Sequence, residues 1–364
     1  MMGRNETLHV FAVGQLLGIC LVFGLSNNVF SSQDEVSLDK SIIDIHVHTA
    51  GIGAGGSGCY VAPRLRYSYK FGWYLRSFGV SREELEESGD AIIFERISKH
   101  VRNSISVHQT VVLAMDGVID AQGDLDRQQT QIYVPNILVT SETDRYDNLL
   151  FGASVNPYRP NALAILEEVA GAGAVLVKSI PAIMAIDPAD RRIIPYYEKL
   201  VELDLPLLIH VDQERSFSGA EDELGDPFRL KLALETGVTV IAVHIATTGK
   251  NEGEGNFERL LSLFGHYENL YTEISNLTQI NKLGYLHDAL KVAGLSERML
   301  YGSDWPLQFF PLVSPWYQIG RVGIGDIREV SKLKNQWDRD VELKRAMGVP
   351  QDVFDRGRVL LNIR

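Results

Sequence analysis

Four histidines and one aspartate stand where strands would end: His46 and His48 in SIIDIHVH, His210 closing PLLIHV, His244 closing VTVIAVH, and Asp304 after RMLYGS. Each follows a short apolar run, rich in β-branched residues, that reads as a buried strand. His46 and His48 are two apart, so on a strand both side chains project from one face. Imidazole nitrogen and carboxylate oxygen suit a borderline divalent cation such as zinc, and three or four such ligands leave a position for water. A single histidine on an apolar strand is ordinarily a hydrogen-bonded core residue. Four of the chain's nine histidines beside one carboxylate at strand ends read instead as a catalytic metal site. Lys178, closing AVLVK, joins them.

Such a site requires elements that bring the strand ends together. Eight candidate strands span 41–48, 110–117, 149–157, 174–181, 206–211, 238–246, 269–275 and 298–306. Between them lie helical patterns such as NALAILEEVAGAG, IIPYYEKLVELD and NFERLLSLFGHY, and several end in glycine. Eight strand–helix units in this length predict an α/β chain folded as a closed (β/α)8 TIM barrel, whose sites gather at the C-terminal mouth. An open doubly wound sheet is the alternative. The stretch 49–109 is a long loop insertion after the first strand, placed over the mouth. Residues 118–148 and the tail after 310 are also extra to a minimal barrel, with WDRDVELKRAMG an outer helix in a C-terminal helical extension.

The glycine-rich GIGAGGSG (51–58) directly follows His48 and fits G-x-G-x-x-G. A dinucleotide fingerprint opens a helix and needs an acidic residue about 20 positions on. Here CYVAPRLRY follows, with Pro63 in it, and no acidic residue occurs between Cys59 and Glu83. The Gly-Lys-Ser/Thr of a phosphate-binding loop is absent too. The glycines are expected to turn the chain sharply beside the metal, with their N–H groups open to an anionic substrate.

Of 364 residues, 45% are hydrophobic and 23% charged, which is ordinary for a globular chain with a full core. The net charge of -12, without a long Lys/Arg cluster, argues against nucleic acid as a partner. The uncharged run VFAVGQLLGICLVFGL (10–25) follows Arg4 and precedes Asp34 and Glu35. Residues 1–35 therefore read as a signal peptide or a membrane anchor, with 36–364 the catalytic domain exported, periplasmic or extracellular, or held outside the cytoplasm by the anchor. Cys20 lies in that leader and only Cys59 would survive its cleavage, so no internal disulfide is expected.

The ordered set resembles the signature of the amidohydrolase superfamily, most closely its amidohydrolase-related branch (amidohydrolase 2) of TIM-barrel metal-dependent hydrolases. The likeness runs over residues 41–310: D-x-H-x-H at Asp44, His46 and His48, then His210, His244 and Asp304, with GSDWP at 302–306. It implies that His46, His48, His210 and Asp304 hold one divalent ion, zinc or manganese. Asp304 and His244 would be catalytic, Asp304 moving the proton and His244 orienting water or donating to a developing oxyanion. Lys178 matches the strand that carries a carbamylated lysine in two-metal relatives; with one metal it binds a substrate anion. Asp44 is structural. The implied reaction is hydrolysis of an amide, ester or lactone carbon by activated water. Non-oxidative decarboxylation on the same metal is the alternative, with aromatic residues of the first loop (Tyr67, Tyr69, Phe71, Trp73) stacking on a ring. A non-catalytic binding protein on a barrel scaffold is the second alternative. The expected partner is a small molecule, with homo-oligomerisation open and membrane contact only if the N-terminal segment is retained.

Overall fold

Eight short strands, all parallel, make one sheet that curls into a barrel: β1 (Ile42–His48), β2 (Val107–Leu113), β3 (Leu149–Ala153), β4 (Leu176–Ser179), β5 (Leu207–Ile209), β6 (Val240–Ala242), β7 (Leu270–Glu273) and β8 (Met299–Leu300). The computed structural model describes residues 42–214, 217 and 219–363, all within one compact unit, Leu38–Arg364. The leader reading of residues 1–35 falls outside them. No helix among the described residues is long and apolar enough to cross a membrane.

Strand order follows chain order, and the seam between β8 and β1 is closed by backbone bonds. Ile45 N–H donates to Tyr301 O (3.3 Å), His48 N–H to Trp305 O (2.9 Å) and Asp304 N–H to His46 O (2.9 Å). This is the (β/α)8 barrel that the strand count predicts.

Apolar side chains from successive strands fill the interior: Ile43, Val111, Leu176, Leu208, Ile241 and Leu300 form one cluster. On β3 the corresponding room is left by Gly152, where a Cβ would sit 2.6 Å from Leu113 Cδ2 and 2.8 Å from Val111 Cγ1. A larger cluster lies between the strands and the outer helices. The helices are amphipathic and fit it; Ile92–Arg102 buries Ile93, Phe94, Ile97 and Val101 at helical spacing.

Two parts differ from the sequence expectation. The insertion after β1 is largely helical, holding Pro63–Arg66, Tyr69–Phe78, Arg82–Ser88 and Ile92–Arg102. Ser68 and Ser81 cap the second and third by accepting from Phe71 N and Glu84 N. The tail is a helical extension as expected, Ile324–Lys332, Gln336–Ala346 and Gln351–Leu360, but it is not wholly surplus. Gly357 of the last helix lies so close to β1 that a Cβ there would stand 3.1 Å from Ile45 Cγ2.

The observed strands also stop short of the predicted runs. Residues after each strand remain buried, so they read as strand, but they bend across the mouth. His244, Ile245 and Ala246 take left-handed φ of 56°, 52° and 49°, Asn276 61° and Asp304 58°. Such backbone is costly for residues other than glycine and tends to cluster at functional sites.

Candidate metal centre

β1 carries one extra residue against β2: Asp44 pairs with Thr110 and Val47 with Val112, three steps against two. Within and just past this bulge, His46 and His48 turn into the mouth. His46 Nε2 and His48 Nε2 come within 3.1 Å, and Asp304 Oδ1 lies 3.4 Å from the first and 2.9 Å from the second. His46 and Asp304 are buried and His48 is partly exposed.

Hydrogen bonding assigns the tautomers. Glu273, wholly buried at the end of β7, accepts from His244 N–H (3.0 Å), Ser275 N–H (2.6 Å) and Ser275 Oγ–H (2.7 Å). His46 Nδ1 donates to the same carboxylate at 3.2 Å, leaving its Nε2 lone pair facing His48 and Asp304. His244 Nδ1 donates to Ser275 Oγ (2.7 Å), so His244 Nε2 likewise carries a lone pair, 3.8 Å from Asp304 Oδ2. Burial, helped by the charge on Lys178, holds His46 well below the ordinary histidine range; burial, helped by Lys282, does the same to His244. Both rings are therefore neutral, the form that binds metal.

His46 Nε2, His48 Nε2 and a carboxylate oxygen of Asp304 at these separations fit a divalent ion. Ligands about 2.0–2.2 Å from a cation span edges of about 2.9–3.6 Å in tetrahedral or octahedral geometry. Glu273 behind His46 is the carboxylate that commonly orients a metal-bound imidazole. His46, His244 and Glu273 form a second group of mutually close donor atoms. The His46–Nδ1 contact to Glu273 explains that closeness without a second ion.

Asp304 sits below the ordinary carboxylate range: burial would raise it, but His46 and His48 outweigh burial. Asp44 is the anchor. Its carboxylate accepts from His46 N–H (3.0 Å), Ser303 N–H (2.9 Å), Ser303 Oγ–H (2.5 Å) and Trp337 Nε1–H (2.7 Å), tying β1, the loop bearing Asp304 and the tail together. Burial still pushes this carboxyl up to about 7.

His210 is turned elsewhere, its Nε2 2.5 Å from Asp212 Oδ1 and 3.6 Å from Glu214 Oε2, outside the group formed by His46, His48 and Asp304. Burial alone would lower His210, but Asp212 outweighs it and raises it. Asp212 also takes Lys282 Nζ at 3.1 Å. Lys178 is buried with no hydrogen-bond partner for Nζ among the described residues, and burial pulls it down to about 8 against the pull of Asp304 and Glu273.

These groups line a cavity of about 340 Å³. His46, His48, His244, Asp304, Lys178 and His210 all reach it, while the helix Tyr69–Phe78 supplies an aromatic wall with Tyr69, Phe71 and Trp73. Tyr67 is not in that wall. Glu214, whose sequence context reads as a solvated loop, also lines the cavity. No residue of the glycine loop, 51–58, lines this cavity, so the expected donors to a substrate are not found there. Gly53 takes a left-handed φ of 86°, so the sharp turn is there, but Ile52 N–H and Gly53 N–H donate to Asp90 at 3.0 and 2.9 Å.

The amidohydrolase family model matches residues 43–312. The chain belongs to the amidohydrolase family. It is thus an enzyme of the metal-dependent hydrolase type, acting on a small molecule. A solved structure agrees on the fold. A TIM-barrel protein from Bordetella bronchiseptica is 17% identical, covering 88% of this chain and 99% of its own, with a TM-score of 0.53. A protein described as a 2-pyrone-4,6-dicarboxylic acid hydrolase from Pseudomonas putida is 18% identical over 89% and 98% of the two chains (TM-score 0.48). The 5-carboxyvanillate decarboxylase of Sphingomonas paucimobilis is 12% identical over 89% and 99% (TM-score 0.47). No curated protein sequence matches.

The protonation states make stability of the amidohydrolase, stripped of metal, fall on acidification. Between pH 6 and 5 an unfolded chain protonates His46 and His244, which the fold keeps neutral, while the fold retains one proton on Asp44 that the unfolded chain has lost. The unfolded state then holds about one proton more, a slope of about 1.4 kcal/mol per pH unit. Urea midpoints at pH 6.0 and 5.0 check this; equal midpoints would contradict the neutral-histidine assignment.

Proposed function

We propose that this amidohydrolase cleaves an amide, ester or lactone bond by metal-assisted attack of water, with His46, His48 and Asp304 as ligands and His210 as the fourth. The observation that carries the reading is the convergence of His46 Nε2 and His48 Nε2 on a buried carboxylate, with His46 backed by Glu273. His210 reaches the same cavity and would be the fourth residue to hold the ion. The nitrogen and oxygen donors favour one equivalent of zinc, with manganese the alternative. A divalent ion there supplies Lewis acidity and a water that is acidic near neutral pH.

The chain's own groups do the rest. Asp304, already ionised, takes the proton of the attacking water at its carboxylate and returns it to the leaving group. His244 presents a lone pair at Nε2, so it accepts a hydrogen bond from water; this supports the orienting role over donation to an oxyanion. Lys178, buried and without a hydrogen-bond partner among the described residues, meets an anionic group of the substrate. The aromatic wall and Lys178 together also suit an aromatic carboxylate, which keeps decarboxylation as the second reading.

Removing metal by chelation is expected to abolish hydrolysis of an ester and lactone panel, and one equivalent of zinc or manganese to restore it. Full activity after stripping would refute the proposal. Carbon dioxide release from a benzoate panel without any hydrolysis would select the lyase. The apolar run 10–25 after Arg4 supports export as part of the same proposal. Fractionation of expressing cells checks it, and activity confined to the cytoplasm would refute it.

A further inference from the structure

A second cavity, about 430 Å³, adjoins the first, and Gln213, Thr248 and Asn281 line both. These residues sit on the loops after β5, β6 and β7. The loop after β6 doubles back as a small hairpin, Lys250–Asn251 against Glu254–Gly255. Arg259, buried, holds that hairpin in place. It donates to both oxygens of Asp226 at 2.9 and 2.8 Å and reaches Glu252 at 3.3 Å. Asn256 Nδ2 donates to Thr248 O (3.0 Å) and Asn251 Nδ2 to Asn256 Oδ1 (2.8 Å), so the wall is fixed from within.

The two cavities differ in chemistry. Aromatic rings wall much of the first. The second is lined by the amides of Gln213, Asn251, Asn256 and Asn281, with the hydroxyls of Thr247, Thr248 and Tyr285. Its charged groups, Asp222 and Lys250, are opposite in sign. Thr247 is 2% exposed and its Oγ1 has no hydrogen-bond partner among the described residues, so the open polar groups of the cavity are those of its other residues. Amides and hydroxyls both donate and accept, which matches oxygens that do the same. A carboxylate would face Asp222, and a hydrocarbon would strand the amides.

We propose that this cavity is a subsite for a neutral polyhydroxylated group, a sugar or polyol, carried by a substrate whose scissile bond reaches His46, His48 and Asp304 past Gln213, Thr248 and Asn281. The second half rests on the hydrolase reading; the binding half stands by itself.

Saturation-transfer NMR on the full chain with glucose, galactose, mannose and glycerol, and with glycinamide and acetate as rivals, tests it. At least one polyol binds saturably, Tyr285→Phe and Asn281→Ala each weaken it about threefold or more, and Asp304→Asn leaves it unchanged. Absence of saturable polyol binding, binding indifferent to both cavity variants, or preference for glycinamide or acetate would overturn the subsite. Polyol binding with no hydrolysis of sugar esters or lactones supports the subsite and counts against the hydrolase reading. Hydrolysis of plain esters without polyol binding does the reverse.

Discussion

Asp304→Asn lowers kcat by about 10²- to 10⁴-fold while the barrel stays folded. The substitution keeps shape, and asparagine tolerates the left-handed φ of 58° at this position better than most residues. The backbone bond from Asp304 N–H to His46 O (2.9 Å) is untouched, and so is the Asp44 anchor on Ser303. What is lost is charge at Oδ1, 2.9 Å from His48 Nε2, and a group able to take a proton. Asn276, which donates to Asp304 Oδ2 in the wild type, would then face an amide. KM is expected to move far less than kcat, because the carboxylate acts on the water and the leaving group rather than on the substrate's distal contacts. Steady-state kinetics with metal content measured on the same samples decides this. A kcat within threefold of wild type at full metal occupancy would remove Asp304 from the proton-transfer role.

The residues that end apolar runs were legible because burial and period mark strands, and a barrel sends all strand ends to one mouth. His46, His48, His244 and Asp304 are found that way. Glu273 carried a comparable signal, as the one carboxylate in NLYTEIS, yet a single carboxylate in a strand has no spacing partner to single it out. Asp212 and Lys282 pair across seventy positions, and only folded loops bring them together. The left-handed turn at His244–Ala246 contains no glycine, so the run VTVIAVHIA reads as strand beyond its true end at Ala242. GIGAGGSG shows the converse. Its glycines do announce a sharp turn, but whether its N–H groups await a ligand depends on Asp90, more than thirty residues away, which uses two of them. Composition thus located the donors of the site, and the fold decided which were already engaged.

Lys344→Met is expected to destabilise the protein by about 3–5 kcal/mol at pH 7. Lys344 is 0% exposed and Asp340 2%, one helical turn apart on Gln336–Ala346. Lys344 Nζ donates to Asp340 Oδ2 (2.7 Å) and Gly302 O (2.9 Å), and Tyr301 O–H donates to the same Asp340 oxygen at 3.0 Å. Methionine fills the volume of the stem but leaves a buried carboxylate with only neutral donors, and leaves Gly302 O without this donor. Burial already holds Asp340 above the ordinary carboxylate range despite Lys344. A raised carboxyl contributes stability below its unfolded value near 3.8, and that contribution is lost as pH rises through the folded value. The variant raises the folded value further, so its deficit is greatest at neutral pH and shrinks as pH falls from 7 towards 4. Asp340→Asn added to Lys344→Met removes the stranded charge and keeps an acceptor for Tyr301, so the pair recovers much of the loss. Gly302 lies two residues before Asp304, so the single variant also loosens the strand end that carries the catalytic carboxylate. Urea unfolding of the three proteins at pH 7 and pH 5 measures it. A deficit for Lys344→Met below about 1 kcal/mol, or one equal at both pH values, would show that no buried charge is being stabilised there.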